Sequence, residues 1–228
     1  MPTFDIIKET KAPSSFRVES IIGKFDLQSK NITERFTGEI SLPNKWSIGL
    51  IVGKSGTGKT TIAKELFPDS YITTFNYNGD TILDDMPKSK SVSEITSAFN
   101  SVGFSSPPSW LKPYSVLSNG QKMRVDLARA MLSDDELFVF DEFTSVVDRE
   151  VAKIGSYAMQ KAIRKTDKQF IAVTCHHDVE DWLLPDWIFD CDTMQFRKRV
   201  KKKDHQSNLR YTEQKIKQSG QCLLNTTI

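Results

Sequence analysis

The chain has 228 residues, 38% of them hydrophobic and 26% charged, which fits one globular α/β core, and its formal net charge of +2 selects no class of partner. No apolar run reaches the roughly 18 residues of a membrane span, and Met1-Pro2-Thr3-Phe4-Asp5-Ile6 lacks the basic-then-apolar order of a signal peptide, so a cytoplasmic protein is expected. Cys175, Cys191 and Cys222 form an odd set without close pairing, so reduced thiols are expected; Cys175, His176, His177 and Cys191 match no usual zinc spacing.

In chain order, residues 1–15 read as an N-terminal segment. Phe16 to Leu27, Glu34 to Ser41 and Trp46 to Val52 then read as three β-rich segments of an antiparallel layer. The apolar run Ile48 to Val52 leads into Gly53-Lys54-Ser55-Gly56-Thr57-Gly58-Lys59-Thr60, followed by a helix-prone stretch from Thr61 to Phe67. This fits the phosphate-loop pattern G-x-x-x-x-G-K-[ST] at every fixed position and in the strand-to-helix context it requires. The glycines let backbone N–H groups turn inward around phosphate oxygens. Lys59 brings a charge to the β- and γ-phosphates of a nucleotide, and Thr60 offers a hydroxyl to Mg²⁺.

Tyr71 to Phe75 reads as a strand, and Ser91-Val92-Ser93-Glu94 as a capping box opening a helix that runs to Val102. Gly103 to Pro113 holds three prolines and reads as loop. It delivers Leu117-Ser118-Asn119-Gly120-Gln121 to the start of a helix from Asn119 to Leu132, where free N–H groups and the dipole favour a phosphate. An apolar strand, Leu137 to Phe140, ends in Asp141-Glu142. A helix from Arg149 to Lys165, a strand from Phe170 to Thr174 running into Cys175-His176-His177-Asp178, and a last strand from Trp187 to Cys191 complete the expected elements.

Residues 117–121, with Lys122 to Met131 behind them, resemble the signature sequence of the ATP-binding cassette (ABC) superfamily, with Asn119 where a glycine is usual. Asn tolerates unusual backbone angles, so the departure is mild. The resemblance covers roughly residues 16 to 196 and extends to the stand-alone cassettes of phages and mobile elements through Pro107 to Leu111 and Asp181 to Trp187. It implies a P-loop NTPase of ABC type: a mainly parallel sheet with helices on both faces, an antiparallel β layer and a reduced helical subdomain. It also implies an ATPase with ATP and Mg²⁺ as cofactors, in which two copies sandwich two nucleotides.

Carried over position by position, the resemblance makes residues 53–60, Thr61, Ser118, Gly120 and Gln121 nucleotide contacts, and Thr60 and Asp141 the metal residues. Glu142 polarises the attacking water, Lys59 offsets charge, and Asp148 belongs to the D-loop at the dimer interface. His176 or His177 is the switch histidine. Asp178 directly after His177 favours the second and the distance to Asp186 the first; His176 is the one chosen.

Some family parts are altered. No glutamine lies between Thr61 and Gly120, and the place of the Q-loop falls to Thr81 to Pro87, where Asp84 or Asp85 serves the metal or makes an ordinary turn. Phe25, or else Phe36, is the aromatic for adenine. The lost glutamine and the shortened helical subdomain favour a soluble ATPase acting on a nucleic acid or protein partner over a transporter's nucleotide-binding subunit. An ATP-dependent binding switch with slow hydrolysis is a third option. Residues 197–228 read as a flexible tail, basic from Arg197 to Lys203, more in keeping with a solvated end than with a phosphate-gripping one.

Overall fold

The computed structural model describes residues 3–11, 14–27, 31–73 and 75–199. Its frame is a six-stranded sheet in the order β4-β5-β6-β3-β7-β8. The strands are β3 (Ile48–Val52), β4 (Tyr71–Ile72), β5 (Leu137–Phe140), β6 (Gln169–Thr174), β7 (Trp187–Asp190) and β8 (Gln195–Lys198). All neighbours run parallel except β7 and β8. A second sheet of two antiparallel strands joins β1 (Thr3–Lys11) to β2 (Asn31–Glu39).

The period of two along each strand divides the core into two layers. Ile48, Leu50 and Val52 of β3, with Phe170 and Ala172 of β6, face one side. There they meet α3 (Val92–Ser101), α5 (Asn119–Leu132), α6 (Arg149–Ile163) and α7 (Val179–Leu183). Ile51, Ile171 and Val173 face the other side, against Ile62 and Ala63 of α2 (Lys59–Leu66) and Phe4, Phe36 and Ile40 of the two-stranded sheet and its exit. The capping box at Ser91 and Glu94 opens α3 as its sequence predicts, and Ser118 with Gln121 forms a second one on α5.

Several expected elements differ. Phe16 to Leu27 is not a strand: Phe16–Lys24 is the helix α1, N-capped by Ser15, which accepts from the amide of Val18. Val18, Ile21, Ile22 and Phe25 recur at helical spacing, a signal that the β-branched content masked. The antiparallel layer is instead completed by residues 3–11, expected to lie ahead of the domain, whose Phe4 ring packs edge-on to Phe189 with centroids 5.6 Å apart.

The strand expected over 71–75 is only Tyr71–Ile72. The proline-rich loop contains a short helix, α4 (Pro107–Trp110), because proline is well placed in a first helical turn. The strand from Trp187 is not the last. β8 follows it and takes in Arg197 and Lys198, and Arg197 makes a two-fold ion pair with Glu180 at 2.7 and 2.5 Å instead of joining a free basic tail. The basic run from residue 200 lies outside the described residues.

Candidate functional site

Because β3, β5 and β6 run parallel, the segments that leave their C-terminal ends gather on one edge of the sheet. These are loop 53–58, the turn from Asp141 and the segment from Cys175, so the fold brings together motifs spread over more than half the chain. The loop takes its shape from left-handed glycines, Gly56 at φ +85° and Gly58 at φ +84°. A Cβ on Gly58 would also come within 2.4 Å of the Phe36 ring. Phe36 is thus part of the loop's foundation, buried in the core, and is not open to stack on a base. Phe25 is exposed at the end of α1.

Lys59, the first residue of α2, is buried and donates from Nζ to the carbonyl of Lys54 at 2.7 Å, so its ammonium lies across the loop. Thr57 closes the turn by donating to the same carbonyl at 2.9 Å. Thr60 donates from Oγ1 to Oδ2 of Asp141 at 2.8 Å, tying the loop's helix to the end of β5. Oδ1 of Asp141 accepts the amide of Glu142 at 2.8 Å. Glu142 (φ +53°) and Thr144 (φ +68°) both adopt left-handed backbone. Such strain in non-glycine residues persists only where the surroundings enforce it. Here the amide of Phe143 is held by the carbonyl of Val173 at 2.8 Å, and the turn presents the Glu142 carboxylate outward.

The two histidines diverge. Burial first, then the charge of Arg149, pushes the His176 imidazole below its ordinary value, against the opposite pull of Asp178 and Glu142. His177 instead reaches Oδ2 of Asp192 at 3.1 Å, and Oδ1 of Asp192 accepts the amide of Lys54 at 2.9 Å. Arg149 pairs with Asp178 and stacks over Trp182 at 4.9 Å, next to Asp148, which N-caps α6.

Ser118 is the exposed N-cap of α5, and Gln121 returns the favour by accepting the Ser118 amide at 3.0 Å. Asn119 has ordinary helical backbone, so the tolerance argued for it is not called upon. Among the described residues no hydrogen bond joins 118–121 to 53–60.

Asp84 and Asp85 are occupied with their own turn. Asp85 accepts the amides of Asn78 and Gly79, both at 2.9 Å, and Asp84 accepts the Thr81 hydroxyl at 2.7 Å. The wall beside the acid pair is aromatic instead. A cleft of about 430 Å³ is lined by Tyr71, Phe75, Tyr77, Tyr114 and Asp126 together with Asp141 and Glu142. Tyr71 donates to Asp141, while Tyr77 and Tyr114 donate to Asp126. Motif reading missed Tyr71, Asp126 and Asp192, because their partners are remote in sequence.

Residues 65–145 match the family model described as ABC transporter. The ABC multidrug transporter atrC of Emericella nidulans is 41% identical over 59 residues, 26% of this chain and 5% of that protein. The energy-coupling factor transporter ATP-binding protein EcfA1 of Mycoplasmopsis synoviae is 33% identical over 72 residues, 32% of this chain and 26% of that one. The mRNA export factor elf1 of Schizosaccharomyces pombe is 28% identical over 151 residues, 56% of this chain and 14% of that protein. The chain thus spans only a small part of these relatives.

Among solved structures, a dimeric post-hydrolysis ATP-binding cassette bound to ADP and Pi superposes with a TM-score of 0.55 at 15% identity, over 73% of this chain and 93% of that one. A bacterial Atm1-family ABC exporter with ATP bound gives 0.52 at 20% identity, over 76% and 37%. Among the described residues no helix is long and apolar enough to cross a membrane. With the loop, signature-like helix and acid pair in order on this sheet, the chain has the fold of ATP-binding cassette domains and is similar to that family over residues 65–145.

Proposed function

We propose that the chain binds Mg-ATP and hydrolyses it to ADP and phosphate between two copies of itself. The observation that carries this reading is the 2.8 Å hydrogen bond from Thr60 to Asp141, which brings a phosphate loop and a strand-end acid pair to one place. The donor set suits magnesium. A hydroxyl and a carboxylate are hard oxygen ligands, and no group of three or more His, Cys, Asp or Glu forms a closed cage among the described residues. This ion keeps waters and takes other ligands from phosphates. Bound there, it would offset charge on the β- and γ-phosphate oxygens.

The chain's own residues then divide the work. The amides of residues 53–60 and Thr61 cradle the phosphates, Lys59 turns its ammonium to the β- and γ-oxygens, and Glu142 takes a proton from the attacking water. His176, neutral at neutral pH, borders the same edge as a hydrogen-bonding sensor. Ser118, Gly120 and Gln121 serve the nucleotide of the partner copy, a reading in keeping with the lack, among the described residues, of any hydrogen bond between them and residues 53–60. The dimeric cassette with ADP and Pi has a similar fold.

The first reading of what the cycle drives is action on a nucleic acid or a protein, supported by the absent Q-loop glutamine and the short helical subdomain. The second is the nucleotide-binding subunit of a transporter, supported by the names of the relatives. Calorimetry and phosphate release test the chemistry. Lys59→Ala should lose most ATP binding, and Glu142→Gln should keep it while hydrolysis slows by at least about a hundredfold. Wild-type turnover in Glu142→Gln would remove Glu142 from its role. Capture of partners on ATP-loaded Glu142→Gln separates the readings by whether a permease, a nucleic acid or a soluble protein is retained.

A further inference from the structure

The helices packed on the face of the sheet opposite α2 leave a groove of about 1050 Å³ between α3, the end of α5 and α6. Small residues make the depression: Ala98 on α3 and Ala158 and Ala162 on α6 line it where longer side chains would close it. Ile154, Tyr157 and Lys161 recur along α6 at a spacing of three or four and share one face, and Lys165 follows just past its end. That face is apolar at one end and basic at the other. Ile154 is 56% exposed and Tyr157 39%, two large side chains left in water beside an unfilled groove.

The basic end lies where Ser133 leads towards β5 and Lys168 into β6, at the N-terminal edge of the sheet. The phosphate loop and the acid pair lie at the opposite edge, and none of their residues lines the groove.

The lining carries four lysines against one glutamate. Lys90 is paired with Asp134 at 3.0 Å, and Lys168 donates to the carbonyls of Ser133 and Asp135. Glu94 is engaged by Ser91 in the cap of α3. Lys161 and Lys165 are exposed and meet no carboxylate among the described residues. The charge left to attract a partner is therefore two neighbouring cations beside an apolar strip.

Nucleic acid fits such a surface poorly. Met131, Leu132, Ile154 and the alanines offer bases neither hydrogen bonds nor a stacking platform, and two cations answer few phosphates. An amphipathic helix fits it well, with anchors at i, i+3 and i+4 against the apolar strip. From Ile154 to Lys165 the face is about 16 Å long, or three helical turns.

We propose that this groove docks an amphipathic helix of another protein, about three turns long, apolar on one face and carrying carboxylates at one end. Its apolar side chains cover Ile154 and Tyr157, and its carboxylates pair with Lys161 and Lys165. Exposed ion pairs add little affinity, so the apolar strip supplies the binding and the lysines fix the direction in which the helix lies.

The test selects helical peptides from a phage-displayed library on the immobilised wild-type chain, with counter-selection on Ile154→Asp, and measures the synthetic winners by fluorescence anisotropy. Enriched sequences should combine an apolar stripe at helical spacing with Asp or Glu at one end. Ile154→Asp should weaken a winning peptide at least about tenfold. The double variant Lys161→Glu, Lys165→Glu should weaken it as well, and a peptide with its acids exchanged for lysine should bind that variant better than wild type. These side chains are exposed, so both variants should keep the circular dichroism and the ATP affinity of wild type; Tyr157→Ser replaces Ile154→Asp if that variant does not fold.

Peptides that are not enriched over the counter-target, that show no acidic bias, or that bind both variants as they bind wild type overturn the docking site. So does a labelled single-stranded RNA that binds wild type, is lost in the double lysine variant and is indifferent to Ile154→Asp, because the lysines are then a nucleic-acid contact. The groove shares no residue with the nucleotide edge, so peptide binding and ATP binding fail independently.

Discussion

Asp192 accepts the backbone N–H of Lys54 at 2.9 Å, fastening the turn after β7 to the phosphate loop across 138 positions of sequence. That amide, more than the nearby His177, holds the Asp192 carboxyl below its ordinary range, so it is a full acceptor at neutral pH. Asp192→Ala should therefore let the loop open and weaken ATP binding about fivefold, the size of one net hydrogen bond. Asp192→Asn keeps an acceptor oxygen and should retain most of the affinity. Equal affinities for Asp192→Ala and wild type in calorimetry would mean that the loop keeps its shape without this contact.

Gly49 sits in β3 directly opposite Trp187 of β7, and a Cβ there would lie 2.1 Å from the indole ring. Trp187 is fully buried, so the ring has nowhere to retreat without disturbing both strands. Gly49→Ala should destabilise the fold by ~2–3 kcal/mol through overpacking. Chemical denaturation should place its midpoint well below wild type, and coincident curves would show that the indole yields at little cost.

The contrast between these two sites explains how much was legible in the sequence. The loop at 53–60, the capping boxes at Ser91 and Ser118 and the strand before Asp141 rest on local spacing, and the structure places them where the spacing predicts. The helix Phe16–Lys24 buries none of its residues, so no core demand distinguishes its apolar positions from those of a strand. The Asp192 latch and the bond from Tyr71 to Asp141 join residues 138 and 70 positions apart, and no pattern within one segment encodes such a meeting. Asp126 was in view as part of the signature helix, yet its role appears only when Tyr77 and Tyr114 close on it.

The protonation of His176 provides a test in solution. Burial and the Arg149 charge lower its imidazole from the ordinary 6.5, so the folded chain prefers the neutral ring. The sign follows from linkage: this preference stabilises the fold fully above the unfolded value, and the stability is lost as pH falls through the folded one. The titration midpoint by NMR should lie below 6.5. Arg149→Met should raise it, because the lowering cation is gone and the Asp178 carboxylate, released from its ion pair, acts in the opposite direction. A wild-type midpoint at or above the ordinary value, or a fall in the variant, would mean that Arg149 does not govern this histidine.

Ser118 allows dimer formation to be tested without damage to the helix that bears it. Its side chain caps α5 by accepting the amide of Gln121, and it is exposed. Replacing it with alanine would cost helix stability, about 1 kcal/mol, and confuse the result. Ser118→Asp keeps an N-cap oxygen, and its carboxylate even suits the helix dipole within the monomer. In the proposed sandwich, the same carboxylate would set a negative charge against the γ-phosphate of a partner-bound ATP. Ser118→Asp in the Glu142→Gln background should therefore bind ATP as its parent does, and stay monomeric in light scattering at concentrations where the parent dimerises. A dimer that persists with full ATP occupancy would place Ser118 away from the phosphate and exclude the sandwich arrangement for this chain.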